Sequence, residues 1–291
     1  MHRPRTTAGR EGLHALLADP AGSLVALDYD GTLAPVVARP EEAVPEAGAL
    51  DALVALAGTV GQLALITGRP CDVVVQLAGV DVVPGLVVLG QYGVERWEAG
   101  VVQGELPLAG VASARARLPG LIDEAGVQVE DKGRSLVVHV RQTADPEQTL
   151  ERLRAPLASL AAEVGLELHL GRLVLELRPP GFDKGRALTE LALRRSAVLF
   201  AGDDRGDLAA FDAADRLRAQ GTPALLVCSD SAETPPELRA RADLVVAGPP
   251  GVVELLTELV EALSALTPPG ADRRKRQERP PERGPATGGR W

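Results

Sequence analysis

The stretch 23-SLVALDYDGTLAP-35 decides the fold. Leu24 to Leu27 form an apolar run without polar alternation, the pattern of a strand buried on both faces of a parallel sheet. The run ends in Asp28 and Asp30, one residue apart, followed at once by Gly31-Thr32. Carboxylates at such a point are costly unless something uses them, and open α/β sheets bind their ligands just outside the carboxyl ends of strands. The two aspartates also have an ordinary account as turn formers before a glycine. The rest of the chain has to decide between the two.

Upstream, residues 11–18 read as a short helix within an N-terminal extension, residues 1–20. Downstream, a Pro-rich loop leads to an Ala/Leu-rich helix from about Glu46 to Ala57, the apolar strand "QLALITGRP", a helix from about Cys71 and the apolar strand "GLVVLGQYG". Alternating strand and helix point to a parallel sheet with helices on its faces. From about Leu106 to Leu177 the pattern changes to helix (111–125), strand "VQVED", strand "SLVVHVR", helix (146–163), strand "LELHL" and strand "RLVLELR". Alternating apolar and polar residues and the short turns "DKGR" and "GR" make this an antiparallel αββαββ insert, residues 106–178. The α/β pattern then resumes with a helix from Lys184, the strand "AVLFAGDD", a helix from about Leu208, the strands "ALLVCS" and "ADLVVAG", and a helix over 251–265. Residues 21–105 and 179–265 therefore make one core, and the Pro/Gly/Arg-rich residues 266–291 are expected to be a disordered basic tail.

Composition excludes several classes. The 291 residues are 45% hydrophobic, enough for a packed globule. No apolar run is long enough to span a bilayer, the N-terminus lacks a signal-peptide hydrophobic region, and Cys71 and Cys228 have no framework or metal spacing; a cytoplasmic protein without a membrane partner is expected. The net charge is −9; residues 271–291 carry seven Arg/Lys against three Asp/Glu, so the body is −13, which argues against a nucleic-acid partner. Lysine is scarce: Lys132, Lys184 and Lys275 stand among 31 basic residues, and a lysine kept where arginine prevails suits a site needing a compact point charge.

The core strands end repeatedly in polar groups: Asp28 and Asp30, then Thr67, then Asp203 and Asp204, with Asp207 close behind and Lys184 opening a helix. Each alone has an innocent reading as a turn or cap. Together they gather along one sheet edge, where five aspartates need cations. Hard oxygen ligands suit Mg²⁺, Lys184 adds a positive charge and Thr67 a hydroxyl, and the set fits a phosphoryl group attacked by a carboxylate.

At this point the chain resembles the haloacid dehalogenase superfamily of phosphatases, with "DYDGT", "LITGR", "DKG" and "GDD…D" matching its four motifs in order and spacing. The resemblance implies a Rossmannoid parallel core with an inserted α+β cap. It makes Asp28 the nucleophile and Asp30 the general acid and then base, with Thr67 and Lys184 completing the catalytic set. Asp28, the Asp30 carbonyl and Asp203 would hold Mg²⁺, supported by Asp204 and Asp207.

The insert lies where the superfamily's larger caps sit, between the second and third motifs. "LDYDGTLAPVVARPEEA", "VEDKGRSLVVHVR" and "GRLVLELRPPGFDKGRAL" further resemble the trehalose-6-phosphate phosphatases between residues 20 and 265. That likeness implies that Glu130, Lys132 and Glu176 contact glucose hydroxyls, with Arg69, Ser135, His139 and Arg178 as further substrate contacts. It also implies a sugar-phosphate substrate and a functional link to a trehalose-6-phosphate synthase; a monomer is expected. On residue chemistry alone, Glu130 and Lys132 fit an ordinary exposed hairpin slightly better. Two departures stand out: "GDDRGDLAAF" puts Gly206, Leu208 and Ala209 where the family has Thr, Glu and Asp, and Tyr92 takes the place of a frequent His. Another sugar or glycosyl-glycerate phosphate is the alternative ester, and a phosphomutase the alternative reaction. A catalytically silent partner of a glycosyltransferase would lack Asp28, Asp30 or Lys184, and all three are present.

Overall fold

The computed structural model describes residues 1–266 apart from 38, 105–108 and 172, so the tail expected from residue 266 lies almost wholly outside the described residues. Helix α1 (Thr7–Ala18) leads into strand β1 (Leu24–Leu27). Helix α2 (Ala49–Ala57), strand β2 (Gln62–Ile66), helix α3 (Cys71–Ala78) and strand β3 (Val87–Gly90) follow, and then strands β4 (Glu95–Glu98) and β5 (Val101–Gly104). Helix α4 (Ala109–Arg117), strands β6 (Gln128–Asp131) and β7 (Leu136–His139), helix α5 (Pro146–Val164) and strands β8 (Glu167–Gly171) and β9 (Val174–Arg178) make the αββαββ insert. The chain returns through helix α6 (Lys184–Leu191), strand β10 (Val198–Gly202), helix α7 (Leu208–Ala219) and strand β11 (Ala224–Asp230). Helix α8 (Pro236–Arg241), strand β12 (Leu244–Ala247) and helix α9 (Gly248–Leu266) complete it.

The larger sheet runs β12-β11-β10-β1-β2-β3-β4-β5, parallel from β12 to β3 and antiparallel beyond. Period-2 alternation sends its side chains into two layers. Val25, Leu27, Leu65 and Val227 pack with Leu16, Leu53 and Leu256 of α1, α2 and α9, whereas Leu24, Ala26, Phe200 and Leu226 pack with Leu188, Phe211 and Leu238 of α6, α7 and α8. Burial on both faces is why these strands read as unbroken apolar runs. The insert's sheet runs β6-β7-β9-β8; Leu136, Val138, Leu175 and Leu177 of its inner strands face Leu153 and Leu157 of α5 in a core of their own.

Several boundaries differ from the sequence reading. The helix read at 111–125 ends at Arg117 and gives way to one 3-10 turn containing Pro119. Helix α9 starts three residues before 251 because its two prolines fall in the first turn, where no N–H is needed. The hairpin β4–β5 was not foreseen. Its two-residue turn holds Ala99 at φ 50 and Gly100 at φ 83, a primed turn without the Asn-Gly that would have announced it.

Candidate active site

Strand register builds the site. Leu27 pairs with Leu65 of β2 and with Ala201 of β10, so Asp28, Thr67 and Asp203 all leave the sheet within two residues of one rung. They are 4%, 1% and 7% exposed. Gly31 follows with φ +79, and a Cβ there would stand 2.1 Å from Asp203 Oδ2. Glycine thus lets the loop after β1 pass against the end of β10. Asp183 caps α6 by accepting from Arg186 N, which places Lys184 at the first helical position, pointing at the same edge.

Lys184 Nζ lies 2.6 Å from Asp28 Oδ1 and 2.7 Å from Asp207 Oδ1, with all three side chains buried. Asp207 Oδ2 accepts from the backbone N–H groups of Asp203 and Asp204 at 3.0 and 3.1 Å. Asp28, Asp203 and Asp207 each bring an oxygen within 4.8 Å of the others. Asp204 stands outside this triangle, its carboxylate accepting from Gly206 N at 2.8 Å as the cap of a short 3-10 turn. The departure at Gly206 therefore leaves the capping bond intact.

Three carboxylates beside one lysine leave two negative charges uncompensated. Burial, ahead of repulsion from Asp28, pushes the Asp203 carboxyl up to about 10. Asp28 is also raised by burial, against the pull of Lys184, and Asp207 reaches about 6 for the same reason. Lys184 itself is held charged by Asp207 and Asp28 despite its burial. Asp203 Oδ1 is buried and has no hydrogen-bond partner among the described residues. A hard divalent cation fits this donor set: it supplies the missing two charges and the missing partner.

Adding Mg²⁺ to metal-free protein is accordingly expected to raise its melting temperature, and to raise it more at pH 8 than at pH 5.5. The Asp203 folded-state pKa is raised, so in metal-free protein this group loses stability as pH climbs from the unfolded value of 3.8 towards 10. A bound cation removes that loss. Melting curves at both pH values with and without Mg²⁺ check this; a gain no larger at pH 8 would sink the assignment.

Asp30 occupies a different environment. Both its oxygens accept from Arg69, at 2.6 Å from Nε and from Nη2, and Arg69 N donates to Thr67 Oγ1 at 3.1 Å. Asp30 and Arg69 thus form a two-pronged pair at the mouth of the edge, beside the buried Asp28–Lys184 pair.

The insert's sheet presents its other face to this edge. Register puts Glu130 opposite Val137, Val137 opposite Glu176, and Glu176 opposite His169, in a row on the face turned away from the insert's apolar core. Ser135 Oγ donates to Glu176 Oε1 at 2.9 Å, and Lys132 Nζ lies 3.8 Å from the same oxygen. Lys132 Nζ also donates to Gly68 O at 3.4 Å, so insert and core meet one residue beyond Thr67. Arg178 lays its guanidinium 4.0 Å over the Tyr92 ring and donates to His169 Nδ1 at 2.8 Å. Glu130 pairs with His139 Nε2 at 2.9 Å; that bond, then Lys132, holds its carboxyl below the usual range. Lys132, Ser135, Glu176 and Arg178 are therefore gathered at the seam, while Glu130 and His139 form a more exposed pair farther along the row.

A family model described as trehalose-phosphatase matches residues 26–243, a span that takes in the aspartate edge and the whole insert. The chain belongs to the trehalose-phosphatase family. A trehalose-phosphate phosphatase of Mycobacterium avium (strain 104) is 32% identical over 271 residues, covering 87% of this chain and 64% of that one. A probable trehalose-phosphate phosphatase of Sinorhizobium fredii (strain NBRC 101917 / NGR234) is 33% identical over 220 residues, 72% of this chain and 80% of that one. An uncharacterized glycosyl hydrolase of Mycobacterium tuberculosis is 36% identical over 205 residues, but the chain spans only 15% of its length. Among solved structures, the C-terminal domain of the C. albicans trehalose-6-phosphate phosphatase superposes with a TM-score of 0.72 at 19% identity, covering 89% of this chain and 98% of that domain. A haloacid dehalogenase-like hydrolase from Bacteroides thetaiotaomicron superposes with a TM-score of 0.58 at 16% identity, over 81% and 99%. At such identities the likeness establishes the fold, a parallel α/β core of the haloacid dehalogenase type carrying an α+β cap. Among the described residues no helix is long and apolar enough to cross a membrane.

Near this edge lie residues that the sequence reading does not single out. Gln91 is 2% exposed and bonds to the cap, and Glu95 accepts from Arg134 Nε of the cap at 3.0 Å. The signal was available. Gln91 ends the apolar run of β3 as Asp28, Thr67 and Asp203 end theirs.

Proposed function

We propose that this chain hydrolyses trehalose 6-phosphate to trehalose and phosphate, with Mg²⁺, through an aspartyl-phosphate on Asp28. The observation that carries the reading is the buried Asp28–Lys184–Asp207 chain beside the unpartnered Asp203 oxygen, facing a cap row that contains Glu130 and Glu176. Lys184 holds Asp28 by Oδ1, leaving Oδ2 free to attack phosphorus in line. The ester P–O bond breaks as the new one forms, and Asp30, with one oxygen released from Arg69 to carry a proton, gives that proton to the departing sugar oxygen. Water then attacks the same phosphorus and passes its proton to Asp30; the bond to Asp28 breaks and phosphate leaves. Thr67 Oγ1 and Lys184 orient and neutralise phosphoryl oxygens throughout. Asp28, Asp203 and Asp207 would hold Mg²⁺, which supplies counter-charge for the transferring group.

Choice of ester falls to the cap. Lys132 donates and the carboxylates of Glu130 and Glu176 accept, a combination suited to the hydroxyls of a disaccharide. On this reading the chain acts downstream of a trehalose-6-phosphate synthase.

Phosphate release from a panel of sugar phosphates, with Mg²⁺ and with chelator, tests the proposal. The expected result is a chelator-sensitive preference for trehalose 6-phosphate, lowered at least about tenfold in kcat/KM by Lys132→Ala, with a smaller loss on p-nitrophenyl phosphate. A flat profile would reassign the cap; equal losses on both substrates would remove Lys132 from sugar binding.

A further inference from the structure

The turn after β3 is strained and is held from both sides. Gln91 has φ 46 and Tyr92 φ 61, ψ 26, followed by Gly93 at φ 96. Two successive side-chain-bearing residues in the left-handed region cost of order 1–3 kcal/mol each and persist only where surroundings over-determine them. On the core side, Gln91 N donates to Arg69 O and Tyr92 N to Thr67 O, both at 2.9 Å, so the turn is stitched to the strand end that carries Thr67. On the cap side, Gln91 Nε2 donates to Lys132 O at 3.0 Å and to Glu95 Oε1 at 2.9 Å. Glu95 Oε1 also accepts from Arg134 Nε at 3.0 Å, while Glu95 Oε2 accepts from Cys71 N at 2.9 Å. Tyr92 completes the contact. Its hydroxyl lies over Gly68, where a Cβ would stand 2.8 Å away, and its ring carries the Arg178 guanidinium. Arg178 in turn stands 4.0 Å from Glu176 Oε2.

Every bond from this turn to the cap therefore ends on a residue adjacent to, or identical with, one of the sugar-facing set. We propose that the turn Gln91–Glu95 is the core's docking plate for the cap, with Tyr92 and Glu95 as positioning residues that seat Lys132 and Glu176 over the aspartate edge and so set which ester is selected. The electrostatics agree: the Tyr92 phenol is pushed up first by burial and then by Glu176, with Arg178 and Lys184 opposing. An aromatic ring without its own charge suits the place under the Arg178 guanidinium.

The inference rests on the sugar-phosphate reading above, and the experiment separates the two. Steady-state kinetics on the full chain compare wild type, Tyr92→Ala, Tyr92→Phe and Arg134→Met, using the sugar phosphate that wild type turns over best and p-nitrophenyl phosphate. Tyr92→Ala and Arg134→Met should each raise KM for the sugar phosphate at least about tenfold with kcat within about threefold, and their kcat/KM loss on the aryl phosphate should be at least about fivefold smaller. Tyr92→Phe keeps the ring under Arg178 and should return KM to within about threefold of wild type. Arg134→Met breaks a second contact of the same seam, the bond to Glu95, from the cap side and leaves the strained turn untouched, so the inference stands or falls on it even where Tyr92→Ala does not fold. Equal losses on both substrates, no change in either, or a Phe variant as poor as Ala would overturn the docking plate alone. A wild type that prefers the aryl phosphate to every sugar phosphate would overturn it together with the sugar reading.

Discussion

Asp28→Asn is expected to lower the rate of phosphate release by at least about ten-thousandfold while leaving the protein folded. The amide keeps the shape of the carboxylate but cannot attack phosphorus, and on the proposed mechanism the groups that remain, Lys184 and Thr67, can only bind the ester. The fold should not suffer. Asp28 is one of three buried carboxylates that share a single lysine charge, and Lys184 keeps Asp207 at 2.7 Å when Asp28 is neutralised. Removing one of three like charges relieves repulsion, so in metal-free buffer the variant should melt no lower than wild type, and its gain on adding Mg²⁺ should shrink. Kinetics and melting curves on the same preparations check both halves. Residual turnover within about a hundredfold of wild type would remove Asp28 as the nucleophile. A large drop in melting temperature would show that the Asp28–Lys184 pair is chiefly structural.

The aspartate edge was legible in the sequence because its signal is local. A strand buried on both faces is a run of apolar residues, and whatever polar group ends it stands at the sheet's carboxyl edge. Asp28, Thr67 and Asp203 each follow such a run, and register brings them together without any further information. Lys184 was conspicuous for a different reason, as a lysine in an arginine-rich chain, and the structure gives it two buried carboxylates to neutralise.

The seam between core and cap was less legible. Arg178 and Tyr92 are 86 positions apart in sequence and meet only because β9 runs back to the core beside the turn after β3. Nothing in either local pattern announces that stack. The same holds for Arg69, whose two-pronged hold on Asp30 depends on how the loops after β1 and β2 lie across each other. Hairpin β4–β5 was hidden because its turn uses Ala99 where an asparagine would have signalled φ above zero. Contacts between residues far apart in sequence leave periodicity and spacing unchanged, which is why the aspartate edge could be read and the contacts of the turn after β3 could not.

Lys184→Met should cost more in stability than any other change at the site. The side chain is 4% exposed, and methionine fills nearly its volume without its charge. Asp28 and Asp207 would then lie buried with no counter-ion; breaking a buried pair in this way costs about 3–5 kcal/mol. The loss should depend on pH in a definite direction. Asp207 already has a folded-state value of about 6 with Lys184 in place, against 3.8 for the free residue. Removing the lysine raises it further, and a carboxyl raised in the folded state subtracts stability increasingly as pH climbs above its unfolded value. The deficit relative to wild type in metal-free buffer should therefore be larger at pH 8 than at pH 5. Turnover should fall at least about a thousandfold at either pH, because among the described residues Lys184 alone of the positive side chains contacts both Asp28 and Asp207, and on the proposed mechanism its charge neutralises the transferring phosphoryl group. Lys184→Arg should rescue little. The planar fork cannot place one nitrogen between two carboxylate oxygens at 2.6 and 2.7 Å within the same volume. Denaturant unfolding at the two pH values, with phosphate release measured alongside, decides the matter. A variant as stable as wild type at pH 8, or a deficit that grows towards acid, would mean that Asp28 and Asp207 are held neutral in the native protein and that Lys184 is not their counter-charge.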